Sequence, residues 1–237
     1  MSDAIIKINN ITKIYRLGKL EVHALKNISF EIRGGEFVAI LGPSGCGKST
    51  LMNILGCLDK QTSGEYFFEG VNTDKLSEDE LAEIRGKKIG FVFQAFNLLP
   101  RINIMRNIEL PLVYNGVDIE ERVRIVHEVL KEVGLLDRLY HTRSELSGGQ
   151  QQKVAIARAL VMRPSIIFAD EPTGNLDTKS SEDVLNLFKE LNQKGVTIVL
   201  ITHEIDVAKQ VKRTITLRDG QLVADVDMTV FRLEAKI

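Results

Sequence analysis

The chain reads as an α/β protein built on a mostly parallel sheet, and three features of its 237 residues say so. A short, continuously apolar strand, "FVAIL", runs into the glycine-rich loop "GPSGCGKST" and on into a helix, "STLMNIL". Two further apolar runs, "SIIFAD" and "VTIVLIT", bracket the helix "SSEDVLNLFKELNQKG", which stops at a glycine. Strand, helix, strand in short alternation buries each strand on both faces, the pattern of a parallel sheet covered by helices.

The remaining segments fit around that core. The opening third is β-rich: "AIIKI", then "ISFEI" with alternating apolar residues, the turn "RGG", and "GEYFFEG" between glycines. From about Ser77 to Leu160 the periodicity becomes helical, with a capping-box pattern at Ser77 and Glu80 and apolar residues at helical spacing in "ERVRIVHEVLKEVGL". The end reads as a hairpin, "TITLRDGQLVADV", turning at Asp219-Gly220. There is no repeat, low-complexity tract or linker, so one domain is expected over 1–237. Within it, 1–94 and 161–226 form the core with an antiparallel β subdomain, 95–160 the helical subdomain, and 227–237 a tail with no interpretable motif.

Composition narrows the function. Thirty-one Lys and Arg against 32 Asp and Glu leave a net charge of -1, which is no footprint for a nucleic-acid backbone. Cys46 and Cys57 have no metal-type spacing and no disulfide framework, as suits a reduced compartment. The N-terminus lacks a signal-peptide pattern and no segment approaches a membrane span, so no direct membrane insertion is expected.

The chemistry concentrates at strand ends. "GPSGCGKST" comprises Gly42, Pro43, Ser44, Gly45, Cys46, Gly47, Lys48, Ser49 and Thr50, and matches G-x-x-x-x-G-K-[ST] between a strand and a helix. Its glycines let backbone N–H groups face phosphate oxygens, and the helix start adds a positive dipole end. Lys48 is placed to reach the β- and γ-phosphates and Ser49 to offer its hydroxyl to Mg²⁺. "IIFADEPTG" ends in two acids with divisible roles: Asp170 for the Mg²⁺ shell, Glu171 to orient and polarise an attacking water. His203, ending "TIVLITH", sits where ligands collect on a parallel sheet. Gln94, following "FVF", can bond a Mg²⁺-bound or lytic water. A second glycine-rich helix start, "LSGGQ", offers Ser147 as N-cap, followed by Gly148, Gly149 and Gln150. Behind it Val154, Ala157, Leu160 and Val161 form a packing stripe, with Lys153 and Arg158 expected on the solvated face.

In that order the motifs "GPSGCGKST", Gln94, "LSGGQ", "IIFADE", "NLD" and His203 resemble the nucleotide-binding subunit of an ATP-binding cassette (ABC) transporter, over roughly residues 5–226. The resemblance implies a P-loop NTPase fold with a RecA-like sheet core, an N-terminal antiparallel β subdomain and an α-helical subdomain. ATP and Mg²⁺ are the implied cofactors. Two copies would dimerise head to tail, so that "LSGGQ" of one faces the phosphate loop of the other across ATP. The resemblance also assigns Tyr15 to stacking on adenine, and Asn175, Leu176 and Asp177 to the dimer contact, although a small Ser is usual at the first of these positions.

Within the family, "GCLDKQTSGEYFFEG", "FVFQAFNLLP" and "NIELPLVYNGV" look most like the lipoprotein-release and macrolide-efflux type. This implies a separate integral-membrane permease, and a cytoplasmic location held peripherally at the membrane through it. Apolar "FNLL" with Met105 and Leu110 would suit a groove for a permease helix. A cassette that drives a permease-like partner to regulate cell-wall hydrolases, with no transport, is the alternative. A guanine-reading N-K-x-D element is missing, as are the fused second cassette and coiled-coil insertion of cassettes that act on ribosomes or DNA.

Overall fold

The computed structural model describes residues 4–18 and 20–228, save the side chain of Leu17. In chain order the elements are β1 (Ala4–Leu17), β2 (Leu20–Arg33), β3 (Phe37–Leu41), α1 (Lys48–Leu55), β4 (Ser63–Phe68), β5 (Val71–Asn72), α2 (Glu78–Lys87), β6 (Ile89–Phe93), α3 (Ile104–Tyr114) and α4 (Ile119–Glu132). Then follow α5 (Gly148–Leu160), β7 (Ile166–Asp170), α6 (Thr178–Gln193), β8 (Thr197–Thr202), α7 (Ile205–Ala208), β9 (Arg213–Arg218) and β10 (Gln221–Asp227). Four strands make an antiparallel sheet in the order β2-β1-β4-β5, and six make a second sheet in the order β10-β9-β3-β8-β7-β6. The second is parallel except at the β9–β10 hairpin.

This six-stranded sheet is the middle layer. Strand alternation sends Ala39, Val92, Ile167, Ala169 and Leu200 into a core shared with α3 to α6, and Val38, Ile40, Phe168, Val199 and Ile201 into a second core shared with α1 and the antiparallel sheet. Both cysteines are free and buried, and burial pushes the Cys57 thiol up to about 11, against the pull of Arg85 and a hydrogen bond with Tyr66.

One feature exceeds the sequence expectation. β1 and β2 each run 14 residues, well past "AIIKI" and "ISFEI", because bulges at Asn10 and Asn27, both at φ 52°, bend them around the core. The short apolar strand expected before Gln94 is β6, which interrupts the helical region after Ser77 and pairs with β7 at the edge of the parallel sheet. The tail expected over 227–237 is described only to Met228, whose N–H donates to the Lys212 carbonyl at 2.7 Å; its remainder lies outside the described residues.

What positions the site is a shared strand register. Leu41 pairs with Thr202, Ile201 with Asp170, and Asp170 with Phe93. Strands β3, β8, β7 and β6 therefore end within a residue of one another, which sets Gly42, His203, Glu171 and Gln94 along one edge.

A second device holds the glycine-rich loop. The Ala24 carbonyl of β2 lies where a Cβ on Gly47 would come within 2.6 Å and one on Gly220 within 2.7 Å. Both glycines have positive φ, 104° and 77°. The Gly220 N–H donates to the Cys46 carbonyl at 3.1 Å, and its own carbonyl accepts from the Lys26 N–H at 2.7 Å. The hairpin tip is thus stapled to both the loop and β2. Gly220→Ala should destabilise the protein by about 1–3 kcal/mol from backbone strain plus the collision with Ala24. Gly70→Ala, equally left-handed at φ 79° but facing open space, should cost less; equal midpoints in urea unfolding would refute the staple.

Candidate functional site

Lys48 opens α1 behind Gly47, is 6% exposed, and donates from Nζ to the carbonyls of Gly42 at 2.7 Å and Pro43 at 3.0 Å. The loop therefore curls around the ammonium group. Gly45, Gly47, Lys48, Ser49 and Thr50 line a cavity of about 480 Å³ together with Tyr15, Val22, His23 and the hairpin tip Asp219-Gly220. Gly42, Pro43 and Ser44 form the loop's entry, outside that lining. Cys46 turns its side chain into the core and is 3% exposed, while its N–H donates to the Pro43 carbonyl at 3.3 Å. Sequence reasoning missed His23 and Asp219, since only the fold brings β2 and the hairpin beside the loop.

Along the strand-end row, the carboxyl of Asp170 is half-buried, and Glu171 follows it in the left-handed conformation at φ 44°. That backbone turn separates the aim of two adjacent acids, and the Glu171 N–H fixes it by donating to the Ile201 carbonyl at 2.9 Å. Glu171 Oε1 lies 2.8 Å from Nδ1 of His203, so the two are one hydrogen-bonded unit. Gln94 is brought to the loop after Glu171: its carbonyl accepts from Asn175 Nδ2 at 3.1 Å, and its Nε2 donates to Asn175 Oδ1 at 3.4 Å. Asn175 thereby clasps Gln94 within the same chain.

Ser147 caps α5 with a reciprocal box: its Oγ accepts from the Gln150 N–H at 3.3 Å, and Gln150 Oε1 accepts from the Ser147 N–H at 2.9 Å. Gln150 is thus engaged within its own helix turn, and the first-turn amides of Gly148 and Gly149 are left without intrahelical partners. The cap packs beside Leu176, Asn175 and Phe96, at 3.3 to 3.9 Å from a Cβ placed on Gly148. None of Ser147 to Gln150 lines the phosphate-loop cavity.

One side chain departs from the sequence expectation, and a second was not singled out by it. Arg158, expected on the solvated face, instead donates to the carbonyls of Asn97 at 2.6 Å and Phe96 at 3.0 Å, and burial lowers its pKa. Phe96 and Asn97 are both left-handed, at φ 59° and 51°, and their carbonyls need such a donor. Asn107, fully buried, completes the loop by accepting from Leu99 N–H and donating to the Leu99, Ile102 and Asn103 carbonyls. An Asn inside the apolar face of a helix was the available signal. Of the residues expected to suit a permease groove, Leu98 is buried and Phe96 and Met105 pack on the core, while Leu99 is exposed. A groove of about 370 Å³ opens instead between β6 and the end of α3, lined by Phe91, Phe93, Pro111, Tyr114 and Met162, with Tyr114 84% exposed.

The residues fit a triphosphate with a hard divalent cation. Glycine backbone, the Lys48 ammonium and the α1 dipole end favour phosphate oxygens. The Ser49 hydroxyl and Asp170 carboxylate are oxygen donors of the kind Mg²⁺ takes. Burial first, and then the neighbouring Glu171, hold Asp170 above the usual carboxylate range against the pull of Lys48, so a cation there relieves the repulsion.

Comparison with known proteins agrees. The family described as ABC transporter matches residues 25–174. YvrO of Bacillus subtilis, an uncharacterized ABC transporter ATP-binding protein, is 56% identical over 220 residues, covering 93% of this chain and 96% of its own. The macrolide export ATP-binding/permease protein MacB of Bdellovibrio bacteriovorus is 50% identical over 93% of this chain, which spans 34% of MacB. The ATP-binding cassette MJ0796 of Methanocaldococcus jannaschii, solved as a dimer in a post-hydrolysis state with ADP and Pi, superposes with a TM-score of 0.85 at 47% identity, covering 94% of this chain and 98% of that one. With its phosphate loop, paired acids and second helix cap in place on this fold, the chain belongs to the ATP-binding subunits of the ABC transporter family.

Proposed function

We propose that two copies of this chain close head to tail on Mg·ATP, hydrolyse it, and use the cycle to drive a separate integral-membrane permease of the lipoprotein-release or macrolide-efflux type. One observation carries the reading: the chain holds two phosphate-seeking half-sites, the Lys48 cavity and the Ser147 helix cap, and keeps them on separate surfaces. A second copy completes each site. The dimeric form of MJ0796 with ADP and Pi, and the fusion of cassette to permease in MacB, support it.

In this mechanism the phosphate loop and Lys48 grip the β- and γ-phosphates. Ser49, Asp170 and Gln94 would hold Mg²⁺, which when bound neutralises charge on the phosphates. Glu171, with one oxygen bonded to His203, accepts a hydrogen bond from the attacking water and orients it in line with the γ-phosphorus. The water oxygen bonds the γ-phosphorus as the P–O bond to ADP breaks; that bond's electron pair stays on the ADP oxygen, and the water's protons leave with the released phosphate. Gly148 and Gly149 amides from the partner would meet the γ-phosphate, so its loss removes the contact that closes the dimer. Tyr15 is placed to stack on the base. For the permease, the apolar groove between β6 and α3 is the docking surface, and its wall reaches Gln94 through β6.

Three outcomes test this. Glu171→Gln should lower ATP turnover about 10²–10⁴-fold and convert monomer to dimer on adding ATP; sizing chromatography without that shift would sink the composite site. Ser147→Arg should abolish turnover yet leave ATP affinity of the monomer unchanged in titration calorimetry, and a large loss of that affinity would place the cap in its own chain's site. Tyr114→Asp should leave turnover of the isolated subunit unchanged and prevent co-purification with a co-expressed permease of this type that binds the unchanged chain; retained co-purification would rule the groove out.

A further inference from the structure

Tyr15 is held in place by residues to which neither the sequence motifs nor the family likeness gives a role. Lys13 and Tyr15 are two apart on β1 and so share a face. Lys13 Nζ lies 4.9 Å from the Tyr15 ring centroid and donates to Asp59 Oδ1 at 2.6 Å and to the Lys60 carbonyl at 2.6 Å. The Tyr15 hydroxyl donates to the other Asp59 oxygen at 2.8 Å. The Lys60 N–H donates to Asp59 Oδ1 at 2.7 Å, and the Asp59 N–H to the Asn53 carbonyl of α1 at 3.1 Å. Lys13 is 12% exposed at its side chain.

The cluster fixes both ends of the aromatic ring's freedom. The phenol is tied to Asp59, the ammonium lies over the ring, and the ring lines the same cavity as Gly47 and Thr50. Because Asp59 follows α1, the same helix carries the phosphate loop at its start and the ring's anchor after its end. Burial disfavours ionisation of Asp59, but hydrogen bonds from Lys13, Tyr15 and the Lys60 N–H outweigh it and keep the carboxylate below its usual range. A ring ordered before binding spares the ligand that cost.

We propose that Asp59 and Lys13 are positioning residues for nucleotide-base recognition, locking Tyr15 at a fixed offset from the phosphate loop. The proposal rests on Tyr15 as the base-stacking residue, and the test separates the two. Affinities of the full chain for Mg·ATP and for Mg·tripolyphosphate, which has phosphates but no base, are measured by calorimetry, and their ratio reports the base alone. Tyr15→Ala should weaken ATP about 5- to 100-fold with tripolyphosphate unchanged. Asp59→Asn, Lys13→Met and Tyr15→Phe should each weaken ATP about 2- to 10-fold, again without touching tripolyphosphate. Asp59→Asn added to Tyr15→Ala should have no further effect.

If Asp59→Asn weakens both ligands alike, or adds its full loss on top of Tyr15→Ala, the positioning role is overturned while stacking by Tyr15 stands. If Tyr15→Ala leaves the ratio unchanged, stacking by Tyr15 fails and the proposal with it. Should Asp59→Asn fail to fold, Tyr15→Phe decides between the same two outcomes, since it keeps the ring and removes the hydroxyl that Asp59 holds.

Discussion

The common termination of four parallel strands is the constraint on which the site depends. Gly42, Gln94, Glu171 and His203 come from segments far apart in the chain, and each falls on the edge because β3, β6, β7 and β8 pair in a register that ends within a residue. A slip of one residue in any pairing would send that strand's buried side chains to the opposite face. Buried Ala39, Ala169 and Leu200 on one side, with Ile40, Phe168 and Ile201 on the other, make such a slip costly in both cores at once. Packing in the middle layer therefore sets the geometry of the chemistry at its rim.

Much of this was legible because it is local. The phosphate loop, the Ser147 cap and the paired acids are each written within a few residues, and their chemistry depends on backbone conformation and helix ends that neighbouring residues determine. The parallel core was legible from apolar runs of strand length. What the sequence did not display is contact across long separations. Asp59 meets Lys13 and Tyr15 from 46 and 44 positions away, and Arg158 reaches back 62 and 61 positions to Phe96 and Asn97. Arg158 looked like a solvated charge because one helix face holds both packing and polar positions, and only the fold decides which carbonyls lie opposite. The long, bulged β1 was foreshortened for a related reason, since pairing with β2 and β4 overrides its polar stretches.

The groove between β6 and α3 adds a contrast. Of the residues chosen for apolar character, Leu98 is buried and Met105 packs on the core, whereas Tyr114 and the β6 aromatics Phe91 and Phe93 line the open surface. The loop between them is held by donors on two helices, Asn107 on α3 and Arg158 on α5. Hydrogen bonds from both helices thus converge on the segment just after Gln94, beside the groove.

Glu171 is where stability and aim oppose each other. Its left-handed backbone costs a residue with a Cβ about 1–3 kcal/mol, energy that the packed sheet beneath it supplies. Glycine or asparagine there would relax the chain and remove the carboxylate. Selection on thermal stability alone would therefore drift away from glutamate at this position, and its retention in a stabilised variant would itself be a sign that turnover was still under selection.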